Sequence, residues 1–492
     1  MFSMDFLLVD TNNSYKFFNK IFYAKFKIYN QVVKHCINLL QKLKFDSYYQ
    51  SLLTEYKYAD AKSKKAISND LDDYRAFLGL SKSGLETYVK SIQKKYKKYI
   101  SSQQAQCIVS DIYNGVNKCI YNGSKLHYKK FSDFHSVSAK SLNNGITGLD
   151  LAKNKVFFNK FYASFIFKDY DIKYIQKCFE NDIKFCRLIR KPFNSGFRYY
   201  IQMVFDGIPP LKYTKGIGDA GIDDGVSTVA AVTDSKCILK DLAPDVNHYN
   251  NQIIKLQKAM ERSFRINNPD CYNDDGTIKK GAKLIKSKNY IKLLKRFKSL
   301  HRKRTAYIDC CHFNIIKNII EDSNRIFYEE MNFKALQKRA KETKKNDYTS
   351  TIKTKKGDIK EICKFKKKKR FGKSLNNKSP AAFITKLKNK ADFYCIPLIP
   401  INTKTYKASQ YNHFSDSYVK KKLKDRWNYF NNGDIIQRDL YSAFLIKNPE
   451  FDFKNADRIK CIINYNAFKD NHNKCIEEIK LTKINRPACF GF

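Results

Sequence analysis

Two adjacent acids, Asp223 and Asp224, interrupt an apolar stretch that runs from Ala220 to Val232. The Val, Ile and Ala residues of this stretch predict a first buried β-strand. An ionised carboxylate inside such a strand is costly unless hydrogen bonds or an opposite charge compensate it. A divalent cation shared with other acids supplies that compensation. The stretch therefore requires a fold that brings further charged groups to this strand.

Two further acids stand next to apolar segments and are candidate partners. Glu329 ends a strand-like segment that begins at Arg325, and Asp439 opens an apolar helical run. Taken singly, such acids are more often structural, and Asp439 is equally typical of an acid that interacts with a helix dipole. Asp224 and Glu330 are second choices, because neighbouring side chains of a strand point to opposite faces.

Two motif matches in the same region are rejected. Gly216 to Gly221 satisfies G-x-G-x-x-G, but these glycines precede a strand, whereas a dinucleotide site needs them between a strand and a helix. Asn273 to Gly276 resembles part of a calcium loop, but its first and twelfth positions would be Cys271 and Ala282. We therefore expect no small-molecule cofactor and no calcium site.

The charge of the chain predicts a polyanionic partner. Lys and Arg total 94 against 47 Asp and Glu, a net charge of +47. This surplus would destabilise a compact fold by self-repulsion unless a nucleic acid neutralised it. An AT-rich genome also enriches Lys, Asn, Ile and Tyr, and this bias is the alternative explanation of part of the surplus.

The cysteines and the hydropathy pattern predict a cytoplasmic protein. The 14 cysteines are scattered and form no C-x-x-C pair, which argues against zinc ribbons and a secreted disulfide framework. No apolar run approaches the roughly 18 residues of a membrane span. We expect no membrane partner.

Three regions differ in pattern. Apolar residues recur at helical spacing from Phe18 to about Tyr113. Short runs rich in Tyr, Phe and Val then predict an antiparallel sheet or small barrel between about Lys125 and Phe205, with a hairpin turn at Asn194-Ser195-Gly196. A long basic helical stretch, Ile253 to about Ile320, follows the acid-bearing strand.

The three acids belong to a longer ordered series of segments. The others are Tyr29-Asn30, Cys186 to Lys191 with Arg198 to Tyr200, Gly207 to Pro210, Asn268-Pro269 with Asp275 to Lys280, Lys369 to Ser374, Lys407 to His413, and Gln437 to Phe444. The series spans most of the chain. It resembles the RuvC nucleases, specifically the TnpB family of insertion-sequence proteins and the compact type V CRISPR effectors related to it.

The resemblance implies an RNA-guided DNA endonuclease. Asp223, Glu329 and Asp439 would be its catalytic residues and would hold two Mg²⁺ ions for phosphodiester hydrolysis. Its partners would be a guide RNA and target double-stranded DNA, read beside a short flanking motif. The residues expected to contact nucleic acid are Arg187, Arg190, Lys191, Arg198, Lys366, Lys367, Lys368, Lys369, Arg370, Lys373, Gln410 and Arg438.

The resemblance also implies an architecture. The fold class is α+β and multidomain: an RNase H-like RuvC core with an N-terminal β-barrel (wedge) domain that carries an inserted helical recognition domain. The expected boundaries are 1–28 with 115–212 for the wedge, 29–114 for the helical domain, 213–404 for the nuclease domain with its basic helical insertion, 405–432 for a degenerate zinc-ribbon-like loop, and 433–492 for the third motif and tail.

The chain departs from the family before the third acid. Many TnpB-like proteins carry a four-cysteine zinc ribbon there, whereas the corresponding stretches here, Ala408 to His413 and Tyr429 to Gly433, contain no cysteine. We expect no zinc, and His413 is interpreted as a polar loop residue. Packing around Trp427, the sole tryptophan, is expected to hold this loop near target DNA.

Three functions remain as alternatives. The first is an active RNA-guided endonuclease, either transposon-encoded or a CRISPR effector. The second is an RNA-guided DNA-binding repressor with little or no cleavage, which would be expected to have lost at least one acid. The third is a DNA strand-transfer transposase, which shares an RNase H-like core but not the segments along the chain.

Overall fold

The structure of the protein, a computed structural model, divides into two compact units, Met1–Lys212 and Tyr213–Phe492. The α+β composition expected from the sequence is confirmed. No described helix is long and apolar enough to cross a membrane. The described residues are 1–11, 13–141, 148–158, 161–167, 171–193, 196–274, 276–338, 342, 344–353, 359–365, 371–422, 424–482 and 487–491.

The first unit contains an antiparallel sheet with the N-terminal strand near its centre. Its strands are β1 Phe2–Val9, β2 Ser136–Ser138, β3 Gly148–Asp150, β4 Lys155–Phe158, β5 Phe161–Ile166, β6 Ile183–Phe193 and β7 Gly196–Phe205. Their order is β2-β6-β7-β1-β5-β4-β3. Because β1 pairs with both β5 and β7, the start of the chain belongs to the same sheet as the β-rich segment.

Helices fill most of the chain between β1 and β2. They are α1 Ser14–Phe45, α2 Ser47–Tyr58, α3 Ala61–Phe77, α4 Lys82–Lys94 and α5 Ser102–Asn122, and α6 Ile172–Phe179 follows β5. Short polar side chains cap the N-termini of α2, α3, α4 and α5; Ser101, for example, forms a capping box with Gln104. The expected boundary at 28/29 lies inside α1, and that at 114/115 lies inside α5, so continuous helices span both positions.

The second unit is built on a mixed sheet. Its strands are β8 Gly218–Asp224, β9 Thr228–Val232, β10 Cys237–Asp241, β11 Ser323–Glu329, β12 Lys345–Lys353, β13 Ile359–Phe365, β14 Leu398–Ile401, β15 Tyr411–Asn412, β16 Ser417–Tyr418, β17 Trp427–Tyr429 and β18 Ile435–Gln437. The main sheet has the order β10-β9-β8-β11-β14. β8, β9 and β10 are antiparallel neighbours, whereas β11 is parallel to β8 and β14 is parallel to β11.

The stretch predicted as one strand from Ala220 to Val232 is two strands. The chain turns at Gly225, whose N–H donates to the Thr228 carbonyl over 2.9 Å, and β9 returns beside β8. The prediction was wrong here because both arms of the hairpin are apolar, so hydrophobicity alone does not mark the turn. The hairpin places Asp223 and Asp224 at the end of β8, where a polar group is easier to accommodate.

Helices cover both faces of this sheet. The helices of the second unit are α7 Val246–Ile266, α8 Lys288–Ile320, α9 Phe333–Leu336, α10 Gly372–Lys378, α11 Pro380–Phe393, α12 Thr403–Tyr406, α13 Arg438–Lys447 and α14 Arg458–Leu481. One face packs against apolar residues of α8 and α11, among them Ile316 and Phe383. The other face packs against α13 and α14, among them Phe444 and Phe468.

Gly221 allows α13 to lie directly on β8. A Cβ atom at this position would come within 2.1 Å of the Ala443 carbonyl oxygen and 2.3 Å of the Lys447 nitrogen. Both are backbone atoms of α13, so the helix would have to move away from the strand. Glycine at this position therefore fixes the distance between β8 and the helix that begins beside Asp439.

We predict that Gly221→Ala lowers the free energy of unfolding by about 3 kcal/mol, because overpacking against backbone cannot be relieved by a rotamer change. Urea denaturation of the full chain measures this difference. Gly196→Ala is the matched control, since a Cβ there meets nothing within 4 Å. Equal stabilities of the two variants would contradict the close approach of α13 to β8.

Candidate metal centre

Parallel pairing brings Asp223 and Glu329 to the same edge of the sheet. Ile222 pairs with Tyr328, so the next residue of each strand lies beside the other at the strand ends. The side chains of Asp223 and Glu329 lie within hydrogen-bonding reach of each other. Two ionised carboxylates this close repel each other, so the pair favours a proton or a cation between them.

Both acids lie on the face of the sheet that α13 covers. On β8, Gly221 lies directly against the backbone of α13. On β11, Phe327 packs in the same apolar cluster as residues of α13. Asp223 and Glu329 are each two residues further along the same strands, and side chains two residues apart share a face. The sequence expectation that Glu329 ends a strand is confirmed.

Asp439 enters the cluster from the first turn of α13, as expected for an acid that opens a helix. Gln437 is the N-cap of this helix, and its side-chain oxygen accepts a 2.8 Å hydrogen bond from the Leu440 N–H. Its amide nitrogen lies 3.5 Å from Asp439 Oδ2. The cap therefore sets both the start of the helix and the orientation of the third acid.

Burial and mutual repulsion perturb the acids on the two strands. The pKa of Asp223 is raised well above its ordinary value, first by burial and then by the charges of Glu329, Asp439 and Asp224, with Arg438 acting in the opposite direction. Burial likewise raises the pKa of Glu329. Without a cation, these groups therefore hold protons at pH values where exposed carboxyls are ionised.

The donor set of the cluster fits Mg²⁺, since all three side chains offer carboxylate oxygens to a hard cation. As they stand, no three His, Cys, Asp or Glu side chains within the described ranges are spaced to hold a metal ion. Asp223 contacts Glu329, and Asp439 accepts a hydrogen bond from Arg438. Metal binding here therefore requires these side chains to exchange partners.

Two arginines contact Asp439. Nε and Nη2 of Arg438 each lie 3.2 Å from Asp439 Oδ1, and Arg438 Nη1 donates to the Asp425 carbonyl over 3.1 Å. Arg426 Nη1 lies 3.9 Å from Asp439 Oδ2. Arg426 is not among the residues predicted from the sequence, because its contact with the acid depends on the fold of the preceding loop and no local motif marks it.

The second-choice acids occupy different environments. Asp224 is buried, and neither of its carboxyl oxygens has a hydrogen-bond partner within the described part of the chain. Burial, followed by the charge of Glu329, raises its pKa. It alternates with Asp223 and so lies on the face that α8 and α11 cover. Glu330 is exposed just after the strand end.

The basic residues of the β6–β7 hairpin are placed differently from one another. Lys191 and Arg198 are exposed, although Lys191 pairs with Asp5 at 2.9 Å. Arg187 is half-buried and hydrogen-bonds Gln202 over 3.2 Å. Arg190 is fully buried, and its guanidinium lies 4.2–4.4 Å from the ring centroids of Phe22, Phe131 and Phe197.

Arg190 is therefore engaged inside the protein. Its Nε donates to the Phe134 carbonyl over 2.6 Å. The alternation of the strand accounts for this, since Arg190 shares the buried face of β6 with Leu188. A cationic residue in a hairpin is thus not by itself a sign of a nucleic-acid surface. The residues Asn194 and Ser195 of the expected turn lie outside the described residues.

The remaining candidates lie in the second unit. Lys373 is exposed, whereas Lys366, Lys367, Lys368, Lys369 and Arg370 lie outside the described residues. Gln410 lines a cavity of about 800 Å³ together with Lys421, Lys424 and Arg426. Since Arg426 also approaches Asp439, one side of this basic cavity adjoins the acid cluster.

His413 packs the loop that corresponds to the zinc ribbon of many TnpB-like proteins. It is fully buried, and its Nδ1 lies 2.7 Å from the Tyr441 hydroxyl on α13. Its ring also packs with Phe430 and Tyr465. The packing thus centres on His413 and not, as was expected from the sequence, on Trp427. Trp427 Nε1 donates to the Gly491 carbonyl over 3.0 Å.

Comparisons with known proteins give matches only to solved structures, at low sequence identity and low TM-score. No protein-family model and no curated protein matches the chain. A cryo-EM structure of a Cas12f1–sgRNA–target DNA complex is similar with a TM-score of 0.46 and 13% identity, covering 90% of this chain and 84% of that chain. A cryo-EM structure of a CRISPR–Cas12f ternary complex has a TM-score of 0.28 and 13% identity, with coverages of 90% and 83%.

We predict that Asp223→Asn raises the free energy of unfolding by about 1–3 kcal/mol at pH 8 in EDTA, because it removes one charge from the acid cluster. A pKa raised by folding means that Asp223 favours the folded state at low pH. That contribution is lost as pH rises from about 4, the unfolded value, through the raised folded value. The gain should therefore be smaller at pH 5.

Urea denaturation at the two pH values, in EDTA, measures this gain. Asp219→Asn on the same strand is the control, because Asp219 is partly exposed and paired with Arg325 at 2.6 Å. That variant should not be more stable than the parent at either pH. If Asp223→Asn were less stable than the parent at pH 8, repulsion within the cluster would not be the dominant effect.

Proposed function

We propose that this chain is an RNA-guided DNA endonuclease with a single RuvC-type active site in its second unit. The observation that carries the proposal is the meeting of Asp223, Glu329 and Asp439, which are remote in sequence, on one face of one sheet. Three isolated acids would each need a separate structural explanation. One cluster needs one explanation, which is a site for divalent cations.

The topology of the second unit supports an RNase H-like core. Its main sheet has three antiparallel strands followed by two parallel strands, in the order β10-β9-β8-β11-β14. The acids stand at the end of the first strand, at the end of the fourth strand and at the start of a helix on the same face. The segments that resemble TnpB-like proteins carry these acids in the same order along the chain.

The three acids share one task in this proposal, which is to hold the metal ions. Asp223, Glu329 and Asp439 would hold two Mg²⁺ ions, which when bound supply an activated water and stabilise the departing 3′-oxygen. Asp223 and Glu329 would bind as carboxylates, so a bound cation would lower the pKa of both groups. Gln437 keeps Asp439 oriented through the helix cap. The covering helix α13 and the sheet keep the carboxylates half-buried, and this reduced exposure to water strengthens their electrostatic interactions.

A guide RNA and target double-stranded DNA are the proposed partners. The surplus of +47 charges matches the phosphate of an RNA scaffold plus an RNA–DNA heteroduplex. In this proposal the sheet of the first unit is the wedge and α1–α5 contribute the recognition domain. Arg198 and Lys373 are exposed and available to phosphates. Free thiols among the described cysteines suit a cytoplasmic location.

A nuclease is favoured over an RNA-guided repressor because all three acids are present and lie together. Sequencing the RNA that co-purifies from the native locus would identify the guide. An RNA from a transposon end and an RNA from a CRISPR array are the two outcomes that the sequence leaves open. If no RNA co-purified, the guided mechanism would be wrong even if the acids were catalytic.

We predict that Glu329→Gln reduces cleavage of a guide-matched plasmid by at least about 10³-fold in Mg²⁺, because it removes a metal ligand. Glu330→Gln, its neighbour outside the cluster, should retain activity within about threefold. Gel-based cleavage rates with purified ribonucleoprotein measure both. Binding of the same DNA by Glu329→Gln should persist, because base pairing with the guide does not need this carboxylate.

Comparison of these neighbouring acids tests the site assignment directly. Equal loss of activity in both variants would indicate a general effect on the strand end. If only Glu330→Gln lost activity, Glu330 and not Glu329 would be the acid that faces the metal site. Wild-type protein that binds but does not cut at saturating Mg²⁺ would favour the repressor.

A further inference from the structure

Arg438 forms an ion pair with Asp439, the third acid. This ion pair must break before Asp439 Oδ1 can bind a metal ion. Two N–H groups of the guanidinium donate to Asp439 Oδ1, each over 3.2 Å. A third donates to the Asp425 carbonyl. An oxygen that accepts two hydrogen bonds from a cation has reduced capacity to ligate a second cation, because both interactions use the same lone pairs.

The pair is largely removed from water. The side chains of Arg438 and Asp439 are 13% and 18% exposed, respectively. Arg325 and Asp219 form another arginine–aspartate pair in the same unit, with side chains 51% and 32% exposed. Water screens the pair at the acid cluster less, so its contacts of 3.2 Å carry more electrostatic energy than the same contacts would in an exposed pair. The pair at the acid cluster therefore competes appreciably with an incoming metal ion.

We propose that Arg438 is an internal counter-ion that occupies Asp439 until metal binds, and that it then turns to the scissile phosphate. The inference rests on the proposed nuclease function. It assigns Arg438 two successive partners of the same chemical kind, first a carboxylate oxygen and then a phosphodiester oxygen. A guanidinium suits this exchange because its fork binds either anion without changing its own charge.

The position of Arg438 makes the exchange feasible over a short distance. Its Nη1 is anchored on Asp425, which lines the basic cavity together with Lys424 and Arg426. A nucleic-acid backbone entering through this cavity would pass Arg426, whose Nη1 lies 3.9 Å from Asp439 Oδ2, and would bring its phosphate to Arg438 and the acid cluster together. Rotation about the anchored side chain, without movement of α13, would then be enough to change partners.

Removing the counter-ion should have opposite effects on metal binding and on cleavage. Arg438→Gln frees Asp439 and removes a positive charge near the metal site, so Mn²⁺ should bind about tenfold more tightly. The same variant loses a donor to the phosphate, so single-turnover cleavage at saturating Mg²⁺ should slow by about 100-fold. A residue with a purely structural role would weaken both.

Calorimetric titration of the substrate-free ribonucleoprotein with Mn²⁺ measures the first effect, independently of cleavage. Arg438→Lys keeps the charge without the fork, and it should restore the wild-type Mn²⁺ affinity but only part of the cleavage rate. Arg325→Gln is the matched control, since it breaks the exposed arginine–aspartate pair. It should change neither quantity by more than about twofold.

Unchanged or weaker Mn²⁺ binding by Arg438→Gln would overturn the counter-ion role. Unchanged cleavage at saturating Mg²⁺ would overturn the contact with phosphate. Failure of wild-type protein to cleave any matched DNA would instead refute the proposed nuclease function, while the Mn²⁺ titration would still report whether Arg438 competes for Asp439. Thermal unfolding in EDTA verifies that each variant is folded.

Discussion

The stability of the second unit depends on how it accommodates three half-buried acids that lie close together. Asp223 and Glu329 meet at the ends of two parallel strands, and Asp439 faces them from a helix start. Packing alone would not place three acids there, since burial of charge opposes folding. In the present arrangement the pKa of Asp223 and that of Glu329 are raised, which favours their uncharged forms, and Arg438 pairs with Asp439. A divalent cation would compensate all three at once.

The surrounding fold is arranged to keep this cluster assembled. Gly221 permits the close approach of α13, and Gln437 fixes where that helix begins. These two residues thus determine where Asp439 lies relative to the strands, although neither is charged. The energetic cost of the acids is met by the apolar packing on either side of the sheet, which is extensive enough to absorb a local penalty of a few kcal/mol.

Much of this could be predicted from the sequence because the signals were local. A strand ending in Glu329 and a helix beginning beside Asp439 follow from apolar periodicity, and both are found. The turn at Gly225 was missed because the two arms of the hairpin are equally apolar. The burial of Arg190 and the contact of Arg426 with Asp439 were missed for another reason, since both depend on residues distant in sequence. Local patterns cannot specify such tertiary contacts.

The loop before the third acid is held by side-chain packing, whereas many TnpB-like proteins have a zinc ribbon in the corresponding segment. The Arg458 Nε donates to the His413 carbonyl over 3.0 Å, while the His413 ring contacts Tyr441 on α13. Burial lowers the pKa of His413 to about 4, so its ring is neutral near pH 7 and packs among aromatic rings at little electrostatic cost. Because Tyr441 is two residues from Asp439, this loop and the acid cluster are fixed to the same helix turn. Displacement of the loop would therefore be transmitted to the third acid through a hydrogen bond rather than through a metal site.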